Sequence, residues 1–198
     1  MFKEYLENLQ NTLNRGDARE ESFYEHLKDL ILSYADSKNI PKIDITILPK
    51  KTEAGNPDFR IWDGRNHITG YIEAKDPSVT NLDYVENTEQ LKRYRETFPN
   101  VILTNFYEFR LYRDGERIKQ VKIAHPAIAN KLRTAPPLEH IEEFQELLDL
   151  FFSFSLPKVQ TSRSLAKELA KRTRFLCDEV ITIELAEETK NGQSILRG

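Results

Sequence analysis

The spacing of apolar residues changes period repeatedly along the chain, and each change marks a change of element. Phe2, Tyr5, Leu6, Leu9 and Leu13 recur at helical spacing, which predicts a first helix over residues 2 to 13, broken by Arg15-Gly16-Asp17. Phe23, Leu27, Leu30 and Ile31 form the stripe of a second helix, from about Ala18 to Tyr34, with Asp17 as its predicted cap. After Pro41 the period falls to two. Ile43, Ile45 and Ile47 alternate with Asp44 and Thr46 ahead of Pro49, as in a half-exposed strand. Residues 57 to 62 (PDFRIW) and 67 to 75 (HITGYIEAK) predict two further strands joined by the turn Asp63-Gly64-Arg65-Asn66. Helical spacing returns over residues 81 to 97. Three more strands follow at 101 to 105, 107 to 113 and 116 to 124, the last two joined by Asp114-Gly115. Strands, helix and strands between flanking helices predict an α/β domain.

Pro136-Pro137 marks an expected boundary, with one domain over residues 1–135 and a helical extension or connector over 136–198. The extension predicts a helix over 138 to 154, carrying Ile141, Phe144, Leu147, Leu148 and Phe151. A long helix from Ser162 to about Glu188 follows, with Leu165, Leu169, Leu176, Val180 and Ile183 in period. Lys167, Lys171, Arg172 and Arg174 come early in that helix and Glu184, Glu187 and Glu188 late, the reverse of what the helix dipole favours. A solvated face and a docking or DNA-facing surface both fit this pattern. The polar, unpatterned last ten residues lead us to expect a longer protein continuing past Gly198.

Composition narrows the class. The chain has 198 residues, 39% hydrophobic and 31% charged, enough for one domain with a real core. No apolar run approaches the ~20 residues of a membrane span, and the N-terminus lacks the apolar stretch of a signal peptide. The expectation is a soluble, cytoplasmic protein with no membrane partner. A net charge of −3 gives no general pull on nucleic acid, so such a function must rest on a local site. The single cysteine, Cys177, excludes an internal disulfide and a cysteine-based zinc cluster. His26, His67, His125 and His140 show no metal-ligand spacing.

The candidate chemistry lies in the hairpin. With a turn centred between Gly64 and Arg65, Phe59 opposes Gly70 and Ile61 opposes Ile68. Together with Ile72 and Ala74 these make an apolar face, while Asp58, Arg60, Trp62, His67, Thr69, Tyr71, Glu73 and Lys75 share the other. In this register Asp58 pairs with Tyr71 and lies diagonal to Glu73, ~7–8 Å away between backbones. Two carboxylates so close repel unless a cation sits between them. A hard divalent ion such as Mg²⁺ takes one or two carboxylates plus waters and phosphate oxygens. Lys75 would stand beside it, placed to orient a water or to neutralise charge on a phosphate. An isolated Glu-x-Lys on a surface hairpin makes ion pairs worth only about 0–1 kcal/mol. The arrangement of Pro57-Asp58, a tight hairpin, Glu73-Ala74-Lys75 and a following helix carries more weight. In that helix Gln90 and Tyr94, four apart, share one face.

These residues resemble the signature of the PD-(D/E)XK nuclease superfamily, and Gln90-Leu91-Lys92-Arg93-Tyr94 looks like the QxxxY motif of its RecB-type branch. Residues 19 to 31 are similar to the family's first helix, whose acidic residue points at the metal; Glu20 is the better match and Glu21 the runner-up. Residues 19 to 113 look like the N-terminal nuclease domain of single-chain restriction-modification enzymes, and 164 to 180 resemble the helical connector that follows it there. The resemblance implies a restriction-endonuclease-like three-layer core, a mixed central sheet flanked by helices, with a C-terminal helical extension. It further implies a Mg²⁺-dependent endodeoxyribonuclease, with Mn²⁺ as a substitute ion. Asp58, Glu73 and Glu20 would hold the metal, and Lys75, Gln90 and Tyr94 would serve the catalytic site. Double-stranded DNA is the implied partner, with dimerisation on DNA and with methyltransferase and target-recognition domains in the same longer chain. Nothing in these residues matches a methyltransferase: there is no Asn-Pro-Pro-Tyr/Phe motif and no Gly-rich cofactor turn. Two other readings stay open, a noncatalytic DNA-binding or assembly module with a nuclease-like fold, and an enzyme acting on RNA or another phosphodiester.

Overall fold

Helix α1 (Phe2–Asn14) buries Phe2, Tyr5, Leu6 and Leu9 along the stripe that the sequence predicts, and Gly16 at φ +76° ends it. The second helical segment starts later than expected. Arg19, not Asp17, caps a short 3₁₀ turn (Glu20–Phe23), its N–H donating to the Ser22 hydroxyl, and α2 (Tyr24–Ser37) follows directly. Three strands, two helices and a fourth strand then follow: β1 (Asp44–Ile47), β2 (Phe59–Trp62), β3 (Ile68–Ala74), α3 (Asp83–Glu86), α4 (Glu89–Thr97) and β4 (Asn100–Thr104). The Thr88 hydroxyl caps α4 by accepting from the Leu91 N–H. Phe98 turns extended ahead of Pro99 and closes that helix. Strands β5 (Glu108–Arg113) and β6 (Glu116–Lys122), the short helix α5 (Pro126–Ala129) and α6 (Ile141–Phe152) complete the order. This computed structural model describes residues 1–40, 42–64, 67–129, 131 and 133–154, and beyond them only 166, 169, 170 and 173.

The six strands form one sheet in sequence order, antiparallel except for the β3–β4 pair. Parallel neighbours need a long crossover, and α3 with α4 supplies it. Alternate residues of the strands therefore meet different helices. Phe59, Ile61, Ile72, Ile102, Phe109 and Leu111 pack with α1, α2 and α6, whereas Tyr71, Val101, Leu103 and Tyr112 pack with Leu91, Tyr94 and Phe98. The result is the expected α/β architecture, a mixed sheet between two helical layers.

Two expectations change. Contacts divide the chain after Phe154 and not at Pro136-Pro137, because Phe144, Leu147, Leu148 and Phe151 of α6 are core residues of the first unit. Gly70 shows how close that helix comes: a Cβ there would lie 2.6 Å from the Phe151 ring and 2.7 Å from the Asn100 carbonyl. Of the second unit, residues 155–198, the described Ala166, Leu169, Ala170 and Thr173 are helical; Cys177 and the rest of the predicted 162–188 helix lie outside the described residues.

The hairpin register also differs. Phe59 pairs with Ile72 and Ile61 with Gly70, not Phe59 with Gly70 and Ile61 with Ile68. The offset accumulates in two steps. Asp63 N–H donates to the His67 carbonyl, so the turn closes one residue later than expected, and a bulge between Ile61 and Trp62 adds a second residue, Thr69. One step would have turned every side chain to the other face; two steps restore the alternation. The buried Asn100 amide holds the bulge, donating to the carbonyls of Thr69 at 2.8 Å and Phe151 at 3.0 Å.

Candidate active site

The shifted register brings the acids closer than the sequence register would. Extending the ladder past Phe59 and Ile72 sets Asp58 level with Glu73, where the expected pairing was with Tyr71. Asp58 Oδ2 accepts the Ala74 N–H at 2.8 Å, so the aspartate reaches across to the strand carrying Glu73. Lys75 Nζ lies 2.6 Å from Glu73 Oε1, and Gln90 Nε2 donates to the same oxygen at 3.0 Å and to the Tyr94 hydroxyl at 3.1 Å. The QxxxY pair thus meets the Glu-x-Lys pair directly. A Cβ on Gly55 would lie 3.3 Å from the Tyr94 hydroxyl, so the loop before β2 closes over it with a residue lacking one.

From the other helical layer, Glu20 and not Glu21 faces this cluster. The Tyr24 hydroxyl stands between Glu20 Oε1 at 2.9 Å and Asp58 Oδ1 at 2.8 Å, and the Asp76 N–H also reaches the Glu20 carboxylate. Glu21 is exposed on the same 3₁₀ turn. The six residues singled out in the sequence fall into two hydrogen-bonded sets, Glu20–Tyr24–Asp58 and Lys75–Glu73–Gln90–Tyr94, which come together where Asp58 stands level with Glu73 across the hairpin. Tyr24 and the Ala74 backbone N–H were missed. The Glu20–Tyr24 spacing of four, the same as Gln90–Tyr94, was the available signal.

Electrostatics single out Glu73. Its side chain is 3% exposed and its Oε2 is buried with no hydrogen-bond partner. Burial, then the neighbouring Asp58 carboxylate, push its pKa up to about 8, against the opposing pull of Lys75. Burial would lower the Lys75 ammonium, but Glu73, Asp58 and Glu20 outweigh it and hold the group above the usual lysine value. Burial likewise raises Glu20.

A divalent ion fits part of this set. Glu73 Oε2 is a buried carboxyl oxygen in need of a partner, Asp58 lies beside it, and a cation between the two would take the place of the proton that burial and Asp58 favour on Glu73; the carboxylate oxygens suit a hard cation. Among the described residues, however, no group of three or more His, Cys, Asp and Glu stands close enough to hold an ion. Tyr24 separates Glu20 from Asp58, so the residues fit an ion on two carboxylates completed by water, not a three-carboxylate cage.

A second acid–base cluster occupies the same face of the sheet. Arg110 is 3% exposed and meets Glu108 Oε1 at 2.6 Å, Glu86 Oε2 at 2.6 Å and Asp83 Oδ1 at 2.7 Å. Gln120 and Lys122 complete the Glu108 carboxylate. Arg95 and Arg117 also bind Glu86. This network fastens α3, and the chain leading into α4, to β5.

No protein-family model matches the chain, and no curated protein matches it in sequence. Among solved structures it is similar to a chain in the cryoEM structure of a DrdV–DNA complex, with a TM-score of 0.55 and 22% identity over 78% of the present chain. The match spans 14% of the length of that other chain. The likeness is one of fold, and the mixed six-stranded sheet with its helices is consistent with a restriction-endonuclease-like core. No helix among the described residues is long and apolar enough to cross a membrane.

Proposed function

We propose that this chain is a PD-(D/E)XK endodeoxyribonuclease domain, dependent on Mg²⁺, and the cleavage module of a larger restriction-modification enzyme. The observation that carries the reading is the buried, partnerless Glu73 Oε2 beside Asp58 and Lys75. The fold shared with a chain from a DNA complex supports DNA as the substrate. Asp58 and Glu73 would hold the ion, and Glu20 would reach it through Tyr24 and Asp58. Bound there, Mg²⁺ would supply a Lewis acid for the phosphate and a lowered pKa for water.

The chain's own groups do the rest. Held charged by three carboxylates, Lys75 orients the attacking water and offsets negative charge building on the phosphate; it is poorly suited to accept a proton. Gln90 fixes Glu73 Oε1 and is itself tied to Tyr94, so the helix α4 sets the rotamer of the acid. Water adds to phosphorus and one P–O ester bond breaks, leaving a phosphate monoester and a hydroxyl. Lys92 and Arg93, exposed on α4 beside the site, suit contacts to the DNA backbone. A hydrolase with one such centre per chain would cut both strands as two copies on the duplex.

The test is cleavage of double-stranded DNA with and without Mg²⁺, alongside single-stranded DNA and RNA. Metal-dependent cutting of the duplex that is lost in Asp58→Asn supports the reading, and preferential cutting of RNA redirects the substrate. Duplex binding without cutting or ion binding favours the second reading, a noncatalytic DNA-binding module. That alternative draws on the lack of a three-carboxylate group among the described residues.

A further inference from the structure

The Asp58 carboxylate is fixed by two donors from different elements. Oδ1 accepts from the Tyr24 hydroxyl at the start of α2, and Oδ2 from the Ala74 N–H at the end of β3, both at 2.8 Å. One donor on each oxygen sets the rotation of the carboxylate plane while leaving each oxygen further acceptor capacity. The Ala74 donor is placed by the sheet. The Tyr24 donor is placed by packing: its ring is 2% exposed and lies 4.9 Å from Phe59 and 6.4 Å from Phe106, centroid to centroid.

That hydroxyl has a single hydrogen, yet it lies within hydrogen-bond distance of two carboxylates, Glu20 at 2.9 Å and Asp58 at 2.8 Å. It can donate to one of them at a time, and the repulsion between the two acids is offset by the Lys75 ammonium, which both of them hold charged. The other carboxylate oxygen in need of such charge is Glu73 Oε2, across the hairpin from Asp58.

We propose that Tyr24 is a positioning residue for a divalent ion: its hydroxyl aims Asp58 at the point shared with Glu73 and keeps Glu20 one hydrogen bond behind, as an outer acid. This rests on the reading of Asp58 and Glu73 as the ion's ligands. Tyr24 acts through Asp58, and substrate need not touch it.

Tyr24→Phe keeps the packed ring and removes only the donor. Tyr34→Phe is its control, since Tyr34 on the same helix donates to Asp149 Oδ1 at 2.6 Å, at the opposite end of α2. Calorimetric titration of each protein with Mn²⁺, together with thermal melting of the metal-free forms, separates positioning from folding. The expected result is Mn²⁺ binding weakened by about 10–100-fold in Tyr24→Phe, unchanged in Tyr34→Phe, with both variants still melting cooperatively. Wild-type or tighter Mn²⁺ affinity in Tyr24→Phe overturns the inference while leaving the ion site standing, and so does an equal loss in Tyr34→Phe. A wild-type chain that binds no Mn²⁺ overturns the ion site itself, and Tyr24's role with it.

Discussion

Glu73 on β3 with Lys75 just past its end, and Glu108 with Arg110 on β5, are the same device written twice, an acid and a base two residues apart in extended chain. They sit in one face of one sheet, since Glu73 pairs with Leu103 and Leu103 with Arg110. Both acids are buried, at 3% and 1% exposure. Their surroundings differ. Arg110 faces three carboxylates within 2.7 Å, and Glu108 gathers Arg110, Gln120 and Lys122. Glu73 has one oxygen shared by Lys75 and Gln90 and another with nothing. Burial of charge is common to a structural clasp and to a reactive site. The carboxylate oxygen without a donor distinguishes them: Glu73 has one, and Glu108 has none.

The comparison breaks most visibly at Arg110. Arg110→Met strands the buried Glu108 and releases α3, with an expected loss of about 3–5 kcal/mol in denaturant unfolding. Lys75→Ala should do the opposite, lowering the DNA cleavage rate by about 10²–10³-fold while the unfolding midpoint stays near wild type. Near-native cutting by Lys75→Ala in Mg²⁺ would reject its role.

Glu73 sharpens the contrast through pH. Its pKa in the fold is about 8 against an ordinary 4.5, so the folded chain holds that proton more tightly than the unfolded one. The stability so contributed is complete below the lower value and is lost as pH rises through the higher one. Metal-free protein should therefore lose stability between about pH 5 and pH 8 in thermal melts, and Glu73→Gln should flatten this slope and gain about 1–3 kcal/mol at the alkaline end. A Glu73→Gln variant that keeps the full slope would remove Glu73 as its source. The smallest effect belongs to Gln90→Ala, which frees one side of Glu73 and should slow cleavage by about tenfold, the scale of lost outer-layer contacts.

The elements were legible where one face of a segment is apolar, as in α1, β1 and α6. Tertiary closeness was harder to read. The two extra residues, one in the turn and one at Thr69, obey no periodicity, so the structure's register differs by two from the sequence reading; the division of faces holds from Gly70 to Ala74 but fails at Ile68, which pairs with Trp62 and packs on the side of Tyr71. The α6 boundary was misplaced because Pro136-Pro137 marks a turn but says nothing of what the next helix packs against. Asp58, Glu73 and Lys75 could be grouped because a hairpin makes them neighbours. Tyr24 lies 34 positions from Asp58, and no local rule relates them. Glu108 and Arg110 read in the sequence as part of an ordinary strand, since a sequence does not display how many partners a charge has.

The bulge at Thr69 bears on the hairpin loop before it. Surface loops ordinarily tolerate insertions and deletions well, and here β4 guards the active edge against them. Tyr71, Ile72, Glu73 and Ala74 are each paired with a residue of β4, Tyr71 and Ile72 with β2 as well, so a change of length between Asp63 and His67 is taken up by the turn and the bulge while Glu73 keeps its face.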